Sequence, residues 1–99
     1  MDDLGGGVKR QILGHESQLM LVKVYFDKGA IGYLHDHPHQ QVSYVEKGRF
    51  EVTINETKEI VSAGECFTVS GDAAHGVLAL EEGIIIDGFS PMRDDFISK

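Results

Sequence analysis

The chain has 99 residues, 41% of them hydrophobic and 25% charged, with a formal net charge of -7. This is the composition of one ordinary globular domain, large enough to bury roughly two thirds of its unfolded surface. Sixteen acidic residues against nine basic ones exclude a general nucleic-acid binder, which needs clustered Lys and Arg, and the single cysteine, Cys66, excludes an internal disulfide.

Met1-Asp2-Asp3-Leu4 is acidic and runs into glycines, without the basic and apolar regions of a signal peptide. No apolar run reaches the length of a membrane span, so a cytoplasmic protein with no membrane partner is expected. Residues 1–10, with Gly5-Gly6-Gly7, are expected to be a flexible lead; the Gly-Lys-Ser/Thr ending of a phosphate loop is missing. Gln11 to Leu13 fits a short edge strand, and His15 an exposed turn. Leu19 to Phe26 is a strand, closed by the turn Asp27-Lys28-Gly29.

The next stretch, Tyr33-Leu34-His35-Asp36-His37-Pro38-His39-Gln40-Gln41, organises the chain, because three of the five histidines lie in it. Alternate residues of an extended chain share a face. His35, His37 and Gln41 can therefore point into one cavity, given a small irregularity near Pro38. Imidazole nitrogens and an amide oxygen are ligands for first-row divalent metals, and His75 is a fourth candidate from a Gly-flanked turn. His37-Pro38-His39 is a second His-x-His, so His39 stays open as a ligand on residue pattern alone.

Gln41 to Val45 is a strand, and Glu46-Lys47-Gly48-Arg49 a hairpin turn with Gly48 at positive φ. Phe50, Val52 and Ile54 then alternate with polar residues, the pattern of a half-buried strand. Further strands follow at Glu59–Val61, Cys66–Val69, His75–Leu80 and Ile84–Phe89, with Ser90-Pro91 ending the last and Met92 to Lys99 forming a short tail. Cys66 is expected to be a buried, inert hydrophobe, Tyr33 and Tyr44 core or pocket residues, and the glutamates solvated. Ile84, Ile85 and Ile86 are apolar on both faces of one strand, which predicts a homodimer covering the outer face. Asp87, a lone carboxylate in that strand, needs compensation from a cation, and a salt bridge to Arg93 is one way to supply it. Short strands at roughly ten-residue spacing, with no helical period, predict one all-β barrel.

These residues resemble the cupins. The first cupin motif reads here as His35-Asp36-His37, Gln41 and Gly48, with Gln41 where Glu often stands. The second is carried by Gly64 and His75, with Ser70 replacing the usual Pro and Asp72 the usual Gly. The resemblance implies a single cupin domain over residues 1–99, a double-stranded β-helix or jelly-roll barrel. It also implies a divalent metal held by His35, His37, Gln41 and His75; zinc, nickel, manganese, iron and cobalt all suit such a set. The tail, Ile86-Asp87-Gly88-Phe89-Ser90-Pro91-Met92-Arg93-Asp94-Asp95-Phe96, is similar to that of the KdgF-like proteins of pectin and alginate breakdown. That resemblance implies Asp87, Phe89 and Arg93 as catalytic residues near the metal, and conversion of a small unsaturated uronate, an anionic sugar, to its linear keto form without redox change. A quercetinase-type dioxygenase and a non-catalytic metal- or sugar-binding cupin are the alternatives.

Overall fold

The computed structural model describes residues 1–97 and is a two-sheet antiparallel barrel. Ten strands run in order: β1 (Asp2–Gly5), β2 (Val8–Glu16), β3 (Leu19–Phe26), β4 (Ile31–His35), β5 (Gln40–Lys47), β6 (Arg49–Ile54), β7 (Thr57–Ser62), β8 (Cys66–Val69), β9 (His75–Ala79) and β10 (Gly83–Ser90). A one-turn helix, α1 (Asp94–Ile97), lies within the tail; Ser98 and Lys99 of that tail lie outside the described residues. One sheet has the order β1-β2-β3-β10-β5-β8 and the other β4-β9-β6-β7, so the neighbours β3–β10 and β4–β9 join segments far apart in sequence.

Strict alternation explains the core. Met20, Val22, Val24 and Phe26 of β3, Phe50 and Val52 of β6, Phe67 and Val69 of β8, and Ile85 and Phe89 of β10 all turn inward. Phe26 and Phe50 meet edge to face at the bottom of the barrel, ring centroids 5.1 Å apart. The turns expected at Asp27-Lys28-Gly29 and Gly48 are present, whereas His15, expected in a turn, is an exposed residue of β2 opposite Met20. Gly48 has φ +86, and Asp72, at the position where the motif usually has Gly, sits at φ +68, a conformation that Asp tolerates better than most residues.

Three other expectations are corrected. The N-terminal residues form a hairpin, β1 on β2, turning through Gly5-Gly6-Gly7, all at positive φ. The glycines read as a mobile lead because their turn chemistry is indistinguishable from flexibility without the partner strand. Cys66 is exposed, because Phe67 and Val69 take the inward positions of β8. Tyr33 and Tyr44 are exposed too, at 77% and 43%, and neither lines the interior.

One irregularity positions the site. On β4 the register with β9 shifts between Gly32 and His35, so that Gly32 faces Val77 but His35 faces His75. Such a bulge bends its strand and re-aims the side chain beyond it. Gly76 makes it possible. A Cβ at that position would lie 2.9 Å from the Gly32 carbonyl oxygen and 3.1 Å from the Leu34 amide nitrogen, both backbone atoms that cannot swing away. Gly76→Ala is therefore expected to force β4 from β9 and to cost about 1–3 kcal/mol, as overpacking does. A thermal melt unchanged from the parent protein would show that β4 yields freely.

Candidate metal centre and active site

His35 ends β4, His37 sits in the turn after it, Gln41 lies on β5 and His75 opens β9. The three imidazoles converge, with one ring nitrogen of each within 4.8 Å of the others. His37 and His75 are buried, and His35 stands at the exposed rim.

Each imidazole is held the same way. Nδ1 of His35 donates to the Tyr33 carbonyl at 2.8 Å, Nδ1 of His37 to the His39 carbonyl at 3.0 Å, and Nδ1 of His75 to the Ala73 carbonyl at 2.8 Å. A carbonyl oxygen only accepts, so the proton must sit on Nδ1 in all three rings. Each Nε2 therefore presents a lone pair to the interior. His75 Nε2 is buried with no partner. His37 Nε2 lies 3.1 Å from Oε1 of Gln41, which is also an acceptor. The Gln41 amide is fixed in that sense because its nitrogen donates to Ser43 Oγ at 2.8 Å and to Asp87 Oδ1 at 3.3 Å. Two acceptors face to face, beside a buried orphan nitrogen, leave room for a cation. About 3 Å also separates neighbouring ligands on a metal whose bonds are about 2.1 Å long. Desolvation pushes the pKa of both His37 and His75 below the ordinary histidine value, against the hydrogen bonds that would raise it, which favours the neutral form a metal needs.

His39 does not join this cluster. Its carbonyl orients His37, its ring stands edge-on to that of His37 at 5.5 Å, and its Nδ1 is buried without a partner.

Asp87 stands opposite Ser43 across the β10–β5 pair and accepts a 2.6 Å hydrogen bond from its hydroxyl. Burial pushes the Asp87 carboxyl up to about 6, against the opposing pull of the Ser43 and Gln41 hydrogen bonds and the Arg93 charge. The Asp87–Arg93 salt bridge, one of the two ways offered to compensate Asp87, is not made. Arg93 forks onto Asp95 instead, Nε to Oδ1 at 2.9 Å and Nη2 to Oδ2 at 2.7 Å, and stacks on the Phe96 ring at 4.3 Å. Two residues of spacing at the start of α1 bring that nearer carboxylate within reach. Phe89 packs its ring between His37 and Phe96, 5.7 Å from each. His35, His75, Gln41, Asp87, Phe89 and Arg93 all line one interior cavity of about 240 Å³.

Ser43 and Arg10 escaped the sequence reading, and Asp95 and Phe96 stood in the tail that carries the resemblance without a role of their own. For Ser43 the signal was available, since Gln41, Ser43 and Val45 are the inward residues of β5. The fully buried Ser43 hydroxyl accepts from Gln41 and donates to Asp87. Ser43→Ala is expected to raise the Asp87 pKa above about 6 and to cost about 1–3 kcal/mol, because two buried groups lose a partner. Carboxyl carbon shifts followed by NMR in the metal-free protein read the first effect and a denaturant melt the second; no change in either would remove Ser43 from the network.

The fold and this site define a cupin. The family model for the cupin domain matches residues 22–86, and the chain belongs to that family. Within it, the chain is 46% identical over 98 residues to the pectin degradation protein KdgF of Dickeya dadantii (strain 3937), covering 97% of this chain and 89% of that one. The structure of KdgF from Halomonas sp. superposes with a TM-score of 0.93 at 42% identity, covering 96% of this chain and 88% of that one. An RmlC-like cupin from Shewanella frigidimarina superposes equally well, TM-score 0.93 at 49% identity, over 96% and 86% of the two chains. The chain is thus a KdgF homologue with a three-histidine site suited to a metal. No helix among the described residues is long and apolar enough to cross a membrane.

Proposed function

We propose that the protein is a metal-dependent enzyme that converts a small unsaturated uronate to its linear keto form without redox change. The observation that carries this reading is one cavity lined by His35, His75 and Gln41 of the imidazole cluster, by the half-buried Asp87 carboxylate and by the buried Arg93 guanidinium. Kinship to a protein named for pectin degradation supports the substrate class, since pectin is a polymer of uronic acid.

In this reading His35, His37, His75 and Gln41 hold a divalent ion of the zinc, nickel, manganese, iron or cobalt kind. Gln41 as a neutral ligand leaves the ion's full charge at the site. When bound, the ion supplies Lewis acidity toward a ring or carbonyl oxygen. Arg93, steadied by Asp95 and Phe96, binds the sugar's carboxylate with a geometry that lysine reproduces poorly. Asp87, aimed by Ser43, takes the proton of the hemiacetal hydroxyl as the ring opens and gives a proton to the enol carbon as the ketone forms. The proton count is unchanged. Phe89 is an apolar wall against which the ring lies.

The test follows the absorbance of the conjugated double bond of unsaturated galacturonate with metal-loaded protein. The parent protein should accelerate its loss. Asp87→Asn should keep the metal and the fold but lower kcat by ~10²–10⁴-fold, the usual worth of a general acid–base group, while Arg93→Lys should chiefly raise KM. No acceleration by the parent protein rejects the reaction, and full turnover by Asp87→Asn rejects the proton carrier.

We also infer a homodimer through the outer face of the six-stranded sheet. Two rows cross its central strands: Leu21, Gly88, Val42 and Thr68, and beside them Lys23, Ile86, Tyr44 and Cys66. Leu21, Val42 and Tyr44 are exposed, and an apolar patch of this kind favours a self-complementary pairing. Light scattering should report twice the chain mass of 10.9 kDa for the parent protein and a monomer for Val42→Glu. A monomeric parent protein would overturn the inference.

A further inference from the structure

We propose that Arg10 is a second carboxylate-binding residue of the cavity, acting with Arg93 from the opposite end of the chain; this rests on the reading that the ligand is a uronate. Arg10 lies on β2 at a position that alternates inward between Val8 and Ile12. A guanidinium turned into a barrel is costly unless its donors are met. They are met poorly. Nη2 reaches Asp2 Oδ2 at 3.4 Å, longer than an ordinary hydrogen bond, and Nε is buried with no acceptor among the described residues.

The Arg10 guanidinium sits 3.9 Å over the Phe96 ring, and the Arg93 guanidinium packs on the same ring at 4.3 Å. Two cations are thus gathered on one phenyl group at the cavity wall. Among the described residues that line the cavity, Asp87 is the sole carboxylate and Arg10 and Arg93 the two arginines. A chain of net charge -7 thereby places two of its three arginines at one internal site. Like charges so arranged are stabilised by an anion between or beside them. Arg93 shares its guanidinium with Asp95 through Nε and Nη2 and would meet the ligand with Nη1, whereas Arg10 keeps an unmet Nε.

The plain alternative is that Arg10 is a strut for Phe96. A strut gains nothing from an unmade buried donor, which costs about 1–3 kcal/mol; an apolar side chain would pack as well without that cost. An acceptor supplied by a ligand accounts for both the burial and the missing partner. The ligand's carboxylate is the acceptor that the charge balance selects. Because Arg10 is anchored on the N-terminal hairpin, carboxylate binding would also tie that hairpin to the tail.

The experiment is calorimetric titration of metal-loaded protein with galacturonate, a non-reacting uronate, and with galactose as the uncharged control. The parent protein should bind galacturonate and prefer it to galactose. Arg10→Gln and Arg10→Met should each weaken galacturonate at least tenfold and leave galactose unchanged. Methionine preserves packing on Phe96, so parental affinity in Arg10→Met would overturn the proposal in favour of the strut. Absence of galacturonate binding to the parent protein would overturn it as well. Turnover of unsaturated galacturonate by the parent protein is measured alongside. Turnover with unweakened Arg10 variants rejects Arg10 and spares the enzyme reading. Weakened variants without any turnover reject the enzyme reading and spare the carboxylate site.

Discussion

Three backbone carbonyls, of Tyr33, His39 and Ala73, each take the Nδ1 proton of one imidazole, and the site's chemistry depends on those three bonds. Each is worth only about 1 kcal/mol to stability. Their larger effect is to fix the tautomer and to turn three Nε2 lone pairs toward one point. The carbonyls are aimed by different devices: a bulge in β4, the turn after His37, and the loop leading into β9. The fold therefore spends its irregular backbone where the imidazoles need orientation and keeps regular ladders elsewhere. The same arrangement leaves His75 Nε2 buried and unpartnered, a standing cost that binding a cation would remove.

A second layer of polar groups depends on the first. Gln41 can turn its oxygen toward His37 only because Ser43 and Asp87 accept from its nitrogen. Ser43 in turn spends its own proton on Asp87. This chain of donors runs across the β5–β10 pair, where strand register puts Ser43 opposite Asp87 and Gln41 opposite Phe89. Beyond Phe89, ring and guanidinium contacts continue through Arg93 and Phe96 to Arg10. The one-turn helix at the end of the chain is held by these contacts rather than by its own hydrogen bonds, which four residues cannot sustain alone.

The strand pattern and the histidine spacing were legible in the sequence for physical reasons. A half-buried strand must alternate, so Phe50, Val52 and Ile54 announced β6, and turns at Gly48 and Asn55-Glu56 bounded it. The imidazole cluster was legible as a motif, whereas the separation of His37 from His39 took family spacing to suggest and backbone geometry to explain. Contacts that depend on where a chain end folds back were not legible. Arg93 finds Asp95 two residues on, and Arg10 finds Phe96 from the far end, and neither pairing has a periodic signature. Cys66 was misplaced because one residue of register decides which face of β8 it takes.

The proposed chemistry requires His35, His37 and His75 to act together as ligands of one ion. X-ray absorption at the metal edge of protein loaded with one equivalent of zinc tests it directly. The expected spectrum shows a first shell of nitrogen and oxygen at about 2.0–2.1 Å, the ordinary Zn–N range, with the multiple scattering of three imidazoles, and of two in His75→Ala. A shell without imidazole scattering, or one that His75→Ala leaves unchanged, would contradict it.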